Sequence, residues 1–245
     1  MSDVKQFQKV LEALQKSPAY QKGNRDVFGL DQVTYQPNSP LNGKRLAVLG
    51  SSITYGFAAH GVAFSDYLQV HDGMFCTKSA ISGTTLAGDD QEGYLYRLKH
   101  DFTAANYDAV MCQLSTNDDR QGKPVGKITP NDQRDDFDTE TTIGAIEEVC
   151  AYVAQHWHCP LIFFTCPQLQ PAANYEQLID QLQQLHAKWG VKIIDLYHDQ
   201  GANASLKARP NAMFDAIHPT QEGYLKVWLP VIEQQLMNIL GYRHK

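Results

Sequence analysis

Short apolar runs alternate with longer amphipathic stretches along this chain from Lys44 onward. The apolar runs are bounded by Gly, Pro and polar residues, which is typical of buried strands, and the longer stretches carry apolar residues at helical spacing. The predicted strands are 45–49, 74–78, 108–114, 160–165 and 191–195. The predicted helices are 61–71, 89–100, 139–156, 174–189 and 219–240. This alternation predicts an α/β fold with a mainly parallel five-stranded sheet and helices on both faces.

The first part of the chain, residues 1–43, has a different pattern. Residues 3–16 place apolar side chains at helical spacing and predict an amphipathic helix: Val4, Phe7, Val10, Leu11 and Leu14. Residues 17–43 are polar and carry Pro37, Pro40 and Gly43, which predicts a surface connection with little regular structure. We expect this helix and arm to pack on one domain formed by residues 44–245. A lid or a dimer contact is the alternative role of the arm.

Three element boundaries can be predicted from local chemistry. Asp138 or Thr139 is expected to cap the helix that ends at His156. Pro160 is expected to open the following strand, where its missing N–H costs least. Pro219 is expected to lie in the first turn of the last helix, since proline is tolerated there.

Composition excludes several classes of partner. The formal net charge is -6 and the basic residues are scattered, so we expect neither nucleic acid nor an anionic membrane as the partner. No stretch approaches the ~20 apolar residues of a membrane-spanning helix, and the first residues do not resemble a signal peptide. We therefore expect a cytoplasmic protein without membrane insertion, and the sequence leaves homo-oligomer formation open.

The odd number of cysteines argues against a disulfide framework. The five residues are Cys76, Cys112, Cys150, Cys159 and Cys166. Three of them lie near apolar runs, so they are expected to be buried, reduced thiols. No pair has C-x-x-C spacing, and a structural zinc site is therefore not expected.

Polar segments follow the predicted strands and precede the last helix. They are Gly50–Gly56, Ser79–Thr85, Leu114–Asp119 and Phe214–Thr220. The carboxyl ends of parallel strands share one edge of the sheet, where open α/β folds bind ligands. We therefore expect four groups to converge: one of the serines Ser51 and Ser52, a flexible glycine, Asn117 and the Asp215–His218 pair. Acyl transfer needs this inventory of a nucleophile, a base, an acid that orients the base, and oxyanion donors.

The ordered segments resemble the blocks of the SGNH hydrolases, also called the GDSL esterase/lipase family. Gly50–Ile53 resembles the Gly-Asp-Ser-Leu block and aligns Ser52 with the nucleophile of that block. Gly83 resembles the glycine of the second block, whose backbone N–H serves the oxyanion hole. Asp215–His218 resembles the Asp-x-x-His block that completes the catalytic triad.

The third block, Ser115–Asp118, resembles Gly-x-Asn-Asp and aligns Asn117 with the side-chain oxyanion donor. There are two departures: Ser51 stands where the family has Asp, and Ser115 stands where it has Gly. Neither departure removes a reacting group. The resemblance implies a flavodoxin-like three-layer α/β/α sandwich, the SGNH hydrolase fold. The α/β-hydrolase fold is not expected because the chain has no G-x-S-x-G elbow.

The chemistry of these residues supports the same roles. Ser52 is a weak nucleophile unless a base takes its proton, and His218 can do so near neutral pH. Asp215 can hold the imidazole in the required tautomer. The backbone N–H groups of Ser52 and Gly83, together with the Asn117 amide, can receive the developing oxyanion.

Each residue also has a structural alternative. Ser51 is the other candidate nucleophile, and Ser52 could simply cap the helix that follows. Gly83 could be only a turn glycine, and Asn117 could form an Asx turn. The Asp215–His218 pair could be a surface pair before a helix. The joint pattern favours the functional reading of the set.

Other potential sites have weaker support. The carboxylate pairs Asp118–Asp119 and Asp135–Asp136 are interpreted as loop caps and solvated charges. His60, His71 and His198 do not belong to a recognisable motif. The sequence also has no phosphate-binding or dinucleotide fingerprint, so no cofactor and no metal are expected. The long polar segments 115–138 and 196–214 are expected to form walls of the pocket.

The resemblance implies serine-dependent hydrolysis of carboxylic esters of a small-molecule substrate through an acyl-enzyme. A short-acyl or carbohydrate O-acetyl ester is the first choice, because no obvious exposed apolar tract is present. Lysophospholipase and thioesterase activities of the same family are alternatives. A non-catalytic module that binds a ligand on the same scaffold is the alternative from another functional class.

Overall fold

The computed structural model describes residues 9, 10, 12–168 and 173–240 of the chain. Five parallel strands form one sheet in the order β2-β1-β3-β4-β5. They are β1 (Arg45–Gly50), β2 (Phe75–Ala80), β3 (Ala109–Gln113), β4 (Leu161–Phe164) and β5 (Lys192–Ile194). The α/β class and the five-stranded parallel sheet predicted from the sequence are therefore confirmed.

Helices cover both faces of this sheet. They are α1 (Pro18–Gly23), α2 (Ser52–Tyr55), α3 (Phe64–Asp72), α4 (Tyr94–His100), α5 (Thr116–Arg120), α6 (Thr142–His156), α7 (Ala173–Trp189), α8 (Gln200–Lys207), α9 (Gln221–Gly223) and α10 (Leu229–Ile239). A π-helical turn, Tyr224–Trp228, joins α9 to α10. Helix α3 packs against α10, whereas α4 and α7 both pack against α6, so two helical layers enclose the sheet. None of the helices within the described ranges is long and apolar enough to cross a membrane.

The core is deepest at the central strands. Every residue of β3 and β4 is buried, and β1 is buried after its first residue. This is why these strands are continuous apolar runs, as expected for strands covered on both faces. The outer strands β2 and β5 are only partly buried.

The segment ahead of β1 contains more regular structure than the sequence predicted. Helix α1 begins after Ser17, whose hydroxyl accepts a hydrogen bond from the Tyr20 N–H, and Pro18 occupies the first turn. Two 3₁₀ turns follow, Asp26–Phe28 and Leu30–Gln32. The expectation of an irregular connection was therefore wrong. Of the predicted first helix, residues 12–16 are helical, whereas Val4, Phe7 and Leu11 lie outside the described residues.

Several predicted boundaries are corrected. Helix α6 is capped by Thr141, whose side chain accepts from the Gly144 N–H, and not by Asp138 or Thr139. Pro219 lies before Thr220, the N-cap of α9, because it is held in an antiparallel bridge with Met213. The helices expected to begin at residues 61 and 89 begin at Phe64 and Tyr94.

The short helices α2, α5 and α8 were not predicted, and α5 and α8 interrupt the segments expected to be loops. None of the five cysteines forms a disulfide. Cys112, Cys150 and Cys166 are buried as predicted, whereas Cys76 and Cys159 are half-buried. Pro160 directly precedes β4, and its carbonyl accepts from the Val110 N–H of β3.

Candidate active site

The residues predicted to converge lie at the carboxyl edge of the sheet. Strand β1 ends at Gly50 and leads into Ser52, the first residue of α2. Strand β3 leads into α5, which carries Asn117 in its first turn. The segment after β2 contributes Gly83, and the segment before α9 contributes His218. One open cleft of about 350 Å³ is lined by side chains from all four segments.

A hydroxyl, an imidazole and a carboxylate form a chain of hydrogen bonds in this cleft. Ser52 Oγ lies 2.9 Å from His218 Nε2. His218 Nδ1 lies 2.8 Å from Asp215 Oδ2 and 3.0 Å from Asp215 Oδ1. Since Asp215 holds Nδ1 as the protonated nitrogen, Nε2 is left to accept the proton of the serine hydroxyl.

The Asp215 carboxylate is fixed by its own turn. Its Oδ1 accepts the N–H groups of Ile217 and His218, each at 2.8 Å. Burial alone would raise the pKa of Asp215, but the hydrogen bond and charge of His218 and these two N–H groups outweigh it and hold the pKa below its ordinary value. The ring of His218 also packs against Phe57, with 5.0 Å between ring centroids. Charge and packing therefore both orient the imidazole.

The two neighbouring serines have different environments. Ser51 is fully buried, and its Oγ accepts a hydrogen bond of 3.1 Å from Gln113 Nε2. Gln113 Oε1 in turn accepts the Ser51 N–H and both the N–H and the hydroxyl of Thr54. Ser51 is thus held against β3, and the structure brings Ser52, not Ser51, to the imidazole.

Two buried polar residues that support the cleft were missed by the sequence analysis. One is Gln113, described above. The other is Arg97, whose guanidinium donates to the Gly50 carbonyl at 2.9 Å and to Thr84 Oγ1 at 3.1 Å. Arg97 therefore ties the end of β1 to the segment that carries Gly83. Neither residue belongs to a sequence motif, and their roles depend on which strands become neighbours.

Gly83 and Asn117 line the same cleft as Ser52. Gly83 has φ +86°, and its carbonyl accepts from Gln121 Nε2 at 2.7 Å, which fixes the orientation of the following peptide. A side chain at this position would meet no neighbouring atoms, so the left-handed backbone and not space favours glycine. Asn117 Nδ2 donates to the Thr84 carbonyl at 2.9 Å, and its second N–H remains available.

Ser115 and Asp118 of the third segment have structural roles. Ser115 is the N-cap of α5, since its Oγ accepts the Asn117 N–H at 3.1 Å. Asp118 is fully buried and accepts the N–H groups of Leu86 and Ala87 at 2.8 and 2.9 Å. Burial raises the pKa of Asp118, although these bonds oppose the shift. The interpretation of Asp118 as a solvated charge was therefore wrong, whereas Asp135–Asp136 is exposed as expected.

A second cavity of about 430 Å³ adjoins the cleft. Arg120 lines both spaces, and Tyr197 and Asp215 line only the second. Ser52 and His218 line the smaller cleft and not the second cavity. The predicted pocket walls are confirmed in part, because segment 115–138 supplies Arg120 and segment 196–214 supplies Tyr197.

The chain contains a second Asp-x-x-His pair that the sequence analysis did not identify. His198 Nδ1 lies 2.8 Å from Asp195 Oδ2, as in the first pair. The acidic group that faces His198 Nε2 is Glu176, whose Oε1 is 4.0 Å away. The spacing of Asp195 and His198 was a readable signal for this pair.

Among the described residues, one group of three side chains has metal-ligand chemistry: His71, Asp72 and Glu233, whose ligating atoms lie within 4.8 Å of one another. His71 Nδ1 is 2.7 Å from Glu233 Oε1, and Ser39 donates its hydroxyl to Asp72. Burial, followed by the neighbouring Asp72, raises the pKa of Glu233 to about 8. The polar atoms of this group contact one another. The group lies on α3 and α10, outside the cleft.

Comparison with known families gives a match over most of the chain. A profile of the GDSL-like Lipase/Acylhydrolase family matches residues 48–226. This range contains Ser52, Gly83, Asn117, Asp215 and His218. A search of curated protein sequences finds no match.

Solved structures share the fold. A protein from Lactobacillus plantarum is 21% identical with a TM-score of 0.66, covering 80% of this chain and 97% of that chain. A possible lipase from Chitinophaga pinensis is 15% identical with a TM-score of 0.60, covering 82% and 100%. An acetyl xylan esterase from Geobacillus stearothermophilus is 17% identical with a TM-score of 0.55, covering 83% and 97%. At these identities the likeness shows the fold alone.

Proposed function

The chain belongs to the GDSL-like lipase/acylhydrolase family, and on that premise we propose that it is a serine esterase with Ser52, His218 and Asp215 as its catalytic triad. The observation that carries the proposal is the 2.9 Å contact between Ser52 Oγ and His218 Nε2, with Asp215 behind the imidazole. This is the arrangement that activates a serine hydroxyl for attack on a carbonyl.

The reaction begins when Ser52 Oγ attacks the ester carbonyl and its proton passes to His218 Nε2. The tetrahedral intermediate then collapses: the bond to the alcohol oxygen breaks, and the alcohol leaves with the proton from Nε2. A water molecule attacks the acyl-serine, again giving a proton to Nε2, and the carboxylic acid is released as that proton returns to Ser52. Asp215 stabilises the imidazolium in both halves.

The negative charge on the carbonyl oxygen needs donors that are already in place. We assign these donors to the backbone N–H groups of Ser52 and Gly83 and to the Asn117 amide. The bond from Asn117 Nδ2 to the Thr84 carbonyl supports this assignment, since it fixes the amide plane while one N–H stays unused. The bond from Gln121 Nε2 to the Gly83 carbonyl holds the peptide that follows Gly83.

The lining of the cleft favours a short acyl group. Ser82, Asn117, Arg120 and Gln121 contribute polar side chains to it, and Phe57 is its one large apolar side chain among the described lining residues. Acetyl esters, including O-acetylated carbohydrates, are therefore the first candidates. Lysophospholipids and thioesters are the alternatives, and they require a longer apolar wall or a different leaving group.

Hydrolysis of p-nitrophenyl esters from acetyl to palmitoyl tests both the activity and the acyl preference. We expect the highest kcat/KM with acetate and loss of activity in Ser52→Ala, with circular dichroism unchanged. A maximum at long chains would favour the lysophospholipase alternative. Absence of turnover with every ester would favour a binding module on the same scaffold.

A further inference from the structure

We propose that Asn24, which lies ahead of the family-matched residues 48–226, is a positioning residue for the reacting pair Ser52 and His218. It joins the turn that follows Ser52 to the segment that follows His218. This inference rests on the proposed function and adds a role for the segment ahead of β1. Asn24 is not among the residues that line the cleft, so it acts through its neighbours.

Three hydrogen bonds make Asn24 a bridge. Its Nδ2 donates to the Ala58 carbonyl and to the Tyr20 carbonyl, each at 2.9 Å. Its Oδ1 accepts the Gln221 N–H at 2.9 Å. Ala58 lies in the turn after α2, and Gln221 begins α9 directly after the His218 segment. One side-chain amide thus connects the two parts of the chain that carry the nucleophile and the base.

The position of Asn24 is fixed because α1 packs closely against the segment Phe214–Thr220 that carries His218. A Cβ atom at Gly23 would come within 2.1 Å of the Asn211 carbonyl oxygen and 2.4 Å of Thr220 Oγ1. Only glycine permits this approach, since any side chain would collide with backbone. Tyr20, also on α1, places its hydroxyl 3.1 Å from His60 Nδ1 in the turn after Ser52.

Short connections lead from the bridged backbone to the reacting atoms. The Phe57 N–H donates to the Ser52 carbonyl at 3.0 Å, and the Phe57 ring packs against His218. On the other side, the Phe214 N–H donates to the His218 carbonyl at 2.9 Å. A shift of either backbone segment therefore changes the separation of Ser52 Oγ and His218 Nε2, on which proton transfer depends.

Asn203 provides a matched control elsewhere in the molecule. Its Nδ2 donates to the Leu196, Tyr197 and Asp199 carbonyls at 3.0, 3.0 and 2.8 Å. Its Oδ1 accepts the Gln168 N–H at 3.0 Å. Both asparagines are half-buried and bridge backbone segments, but Asn203 holds the turn of the second Asp-x-x-His pair.

The test compares Asn24→Ala with Asn203→Ala, using p-nitrophenyl acetate hydrolysis, thermal unfolding and NMR of the His218 imidazole. For Asn24→Ala we expect kcat to fall about tenfold with KM changed less than about twofold, because misplacement weakens the reacting geometry and not substrate binding. The His218 ring signals should shift or broaden. Asn203→Ala should lower the unfolding temperature comparably while kcat and the His218 signals stay at wild-type values.

Two results would overturn the proposal: wild-type kcat and His218 signals in Asn24→Ala, or equal losses of kcat in both variants. If Asn24→Ala does not fold, Asn24→Asp keeps the acceptor for Gln221 but loses the donor to Ala58, and a kcat equal to wild type there would contradict the bridge. The His218 ring signals can be recorded without hydrolysis of a substrate. An inactive wild-type protein whose His218 signals still respond to Asn24→Ala would therefore refute the esterase proposal and retain this one.

Discussion

The two Asp-x-x-His pairs share a local structure but differ in what faces the imidazole. In both, the Nδ1 atom lies 2.8 Å from an aspartate Oδ2, and the same aspartate accepts the backbone N–H of the histidine. At His218 the Nε2 atom meets Ser52 Oγ at 2.9 Å, whereas at His198 the facing acidic oxygen of Glu176 is 4.0 Å away. The His218 side chain is 12% exposed and that of His198 is 49% exposed.

The first difference distinguishes an Asp–His turn that local sequence forms by itself from a site that needs a residue from a distant segment. The Asp-x-x-His spacing forms an Asx-type turn by itself, because the carboxylate can reach both the backbone N–H and the ring three residues later. The serine is supplied from 166 residues away in sequence by the turn after β1. The pair alone is therefore no evidence of catalysis, and the serine hydroxyl at Nε2 is what distinguishes Asp215–His218.

The largest expected effect comes from removing each imidazole in turn. His218→Ala removes the group that takes the proton of Ser52, so kcat for acetate ester hydrolysis should fall by ~10⁴-fold or more. His198→Ala removes an imidazole of the same local structure and should leave kcat within about twofold of wild type. Equal losses in the two variants would mean that the Ser52 contact does not define the site.

The aspartates extend the same comparison. Asp215→Asn leaves a side chain of the same shape but no longer favours the tautomer with a proton on Nδ1, so we expect kcat to fall about 10³–10⁴-fold. Asp195→Asn should change kcat little, since no reacting group faces His198. Steady-state kinetics on both variants measures this contrast, and a wild-type rate in Asp215→Asn would remove Asp215 from the mechanism.

The oxyanion assignment predicts an intermediate effect. Asn117→Ala removes one donor and should lower kcat by about 10²–10³-fold with a smaller change in KM. Because Asn117 also donates to the Thr84 carbonyl, thermal unfolding must be measured alongside the kinetics. A loss of stability without a loss of kcat would assign Asn117 a purely structural role.

The smallest effect concerns acid stability. The pKa of Asp215 lies below its ordinary value in the folded protein, so its ionised form stabilises the fold fully above the unfolded-state pKa of about 3.9. That contribution is lost as the pH falls through the lowered pKa. The unfolding free energy of Asp215→Asn should therefore fall less steeply below about pH 4 than that of wild type. The exposed Asp135→Asn is the control, and an identical acid profile for all three proteins would contradict the charge pairing.

Features set by local sequence could be predicted, whereas features set by contacts between distant segments could not. The buried strands β1 and β3 were evident because strands covered on both faces must be apolar throughout. The site residues could be placed at one edge because parallel strands share their carboxyl end. Gln113 and Arg97 could not be found, since their partners Ser51 and Gly50 are set by strand neighbours and not by local sequence.

Shorter elements were missed for a different reason. Helix α1 is only 6 residues long, too short for a periodic signal, and its cap Ser17 precedes a proline that also fits a turn. The second pair, Asp195–His198, had a visible spacing, but a spacing of that kind does not reveal whether a hydroxyl lies beyond the ring. The family profile likewise begins at residue 48 and contains neither α1 nor Asn24.

Fluorophosphonate labelling with mass spectrometry of the modified peptide tests the central claim most directly. An activated serine forms a covalent phosphonyl adduct, whereas an ordinary hydroxyl does not react. We predict one adduct, on Ser52 and not on Ser51, that is lost in Ser52→Ala and His218→Ala and retained in His198→Ala. An adduct on Ser51, or the absence of any adduct in the folded wild-type protein, would contradict the assignment of Ser52 as the nucleophile.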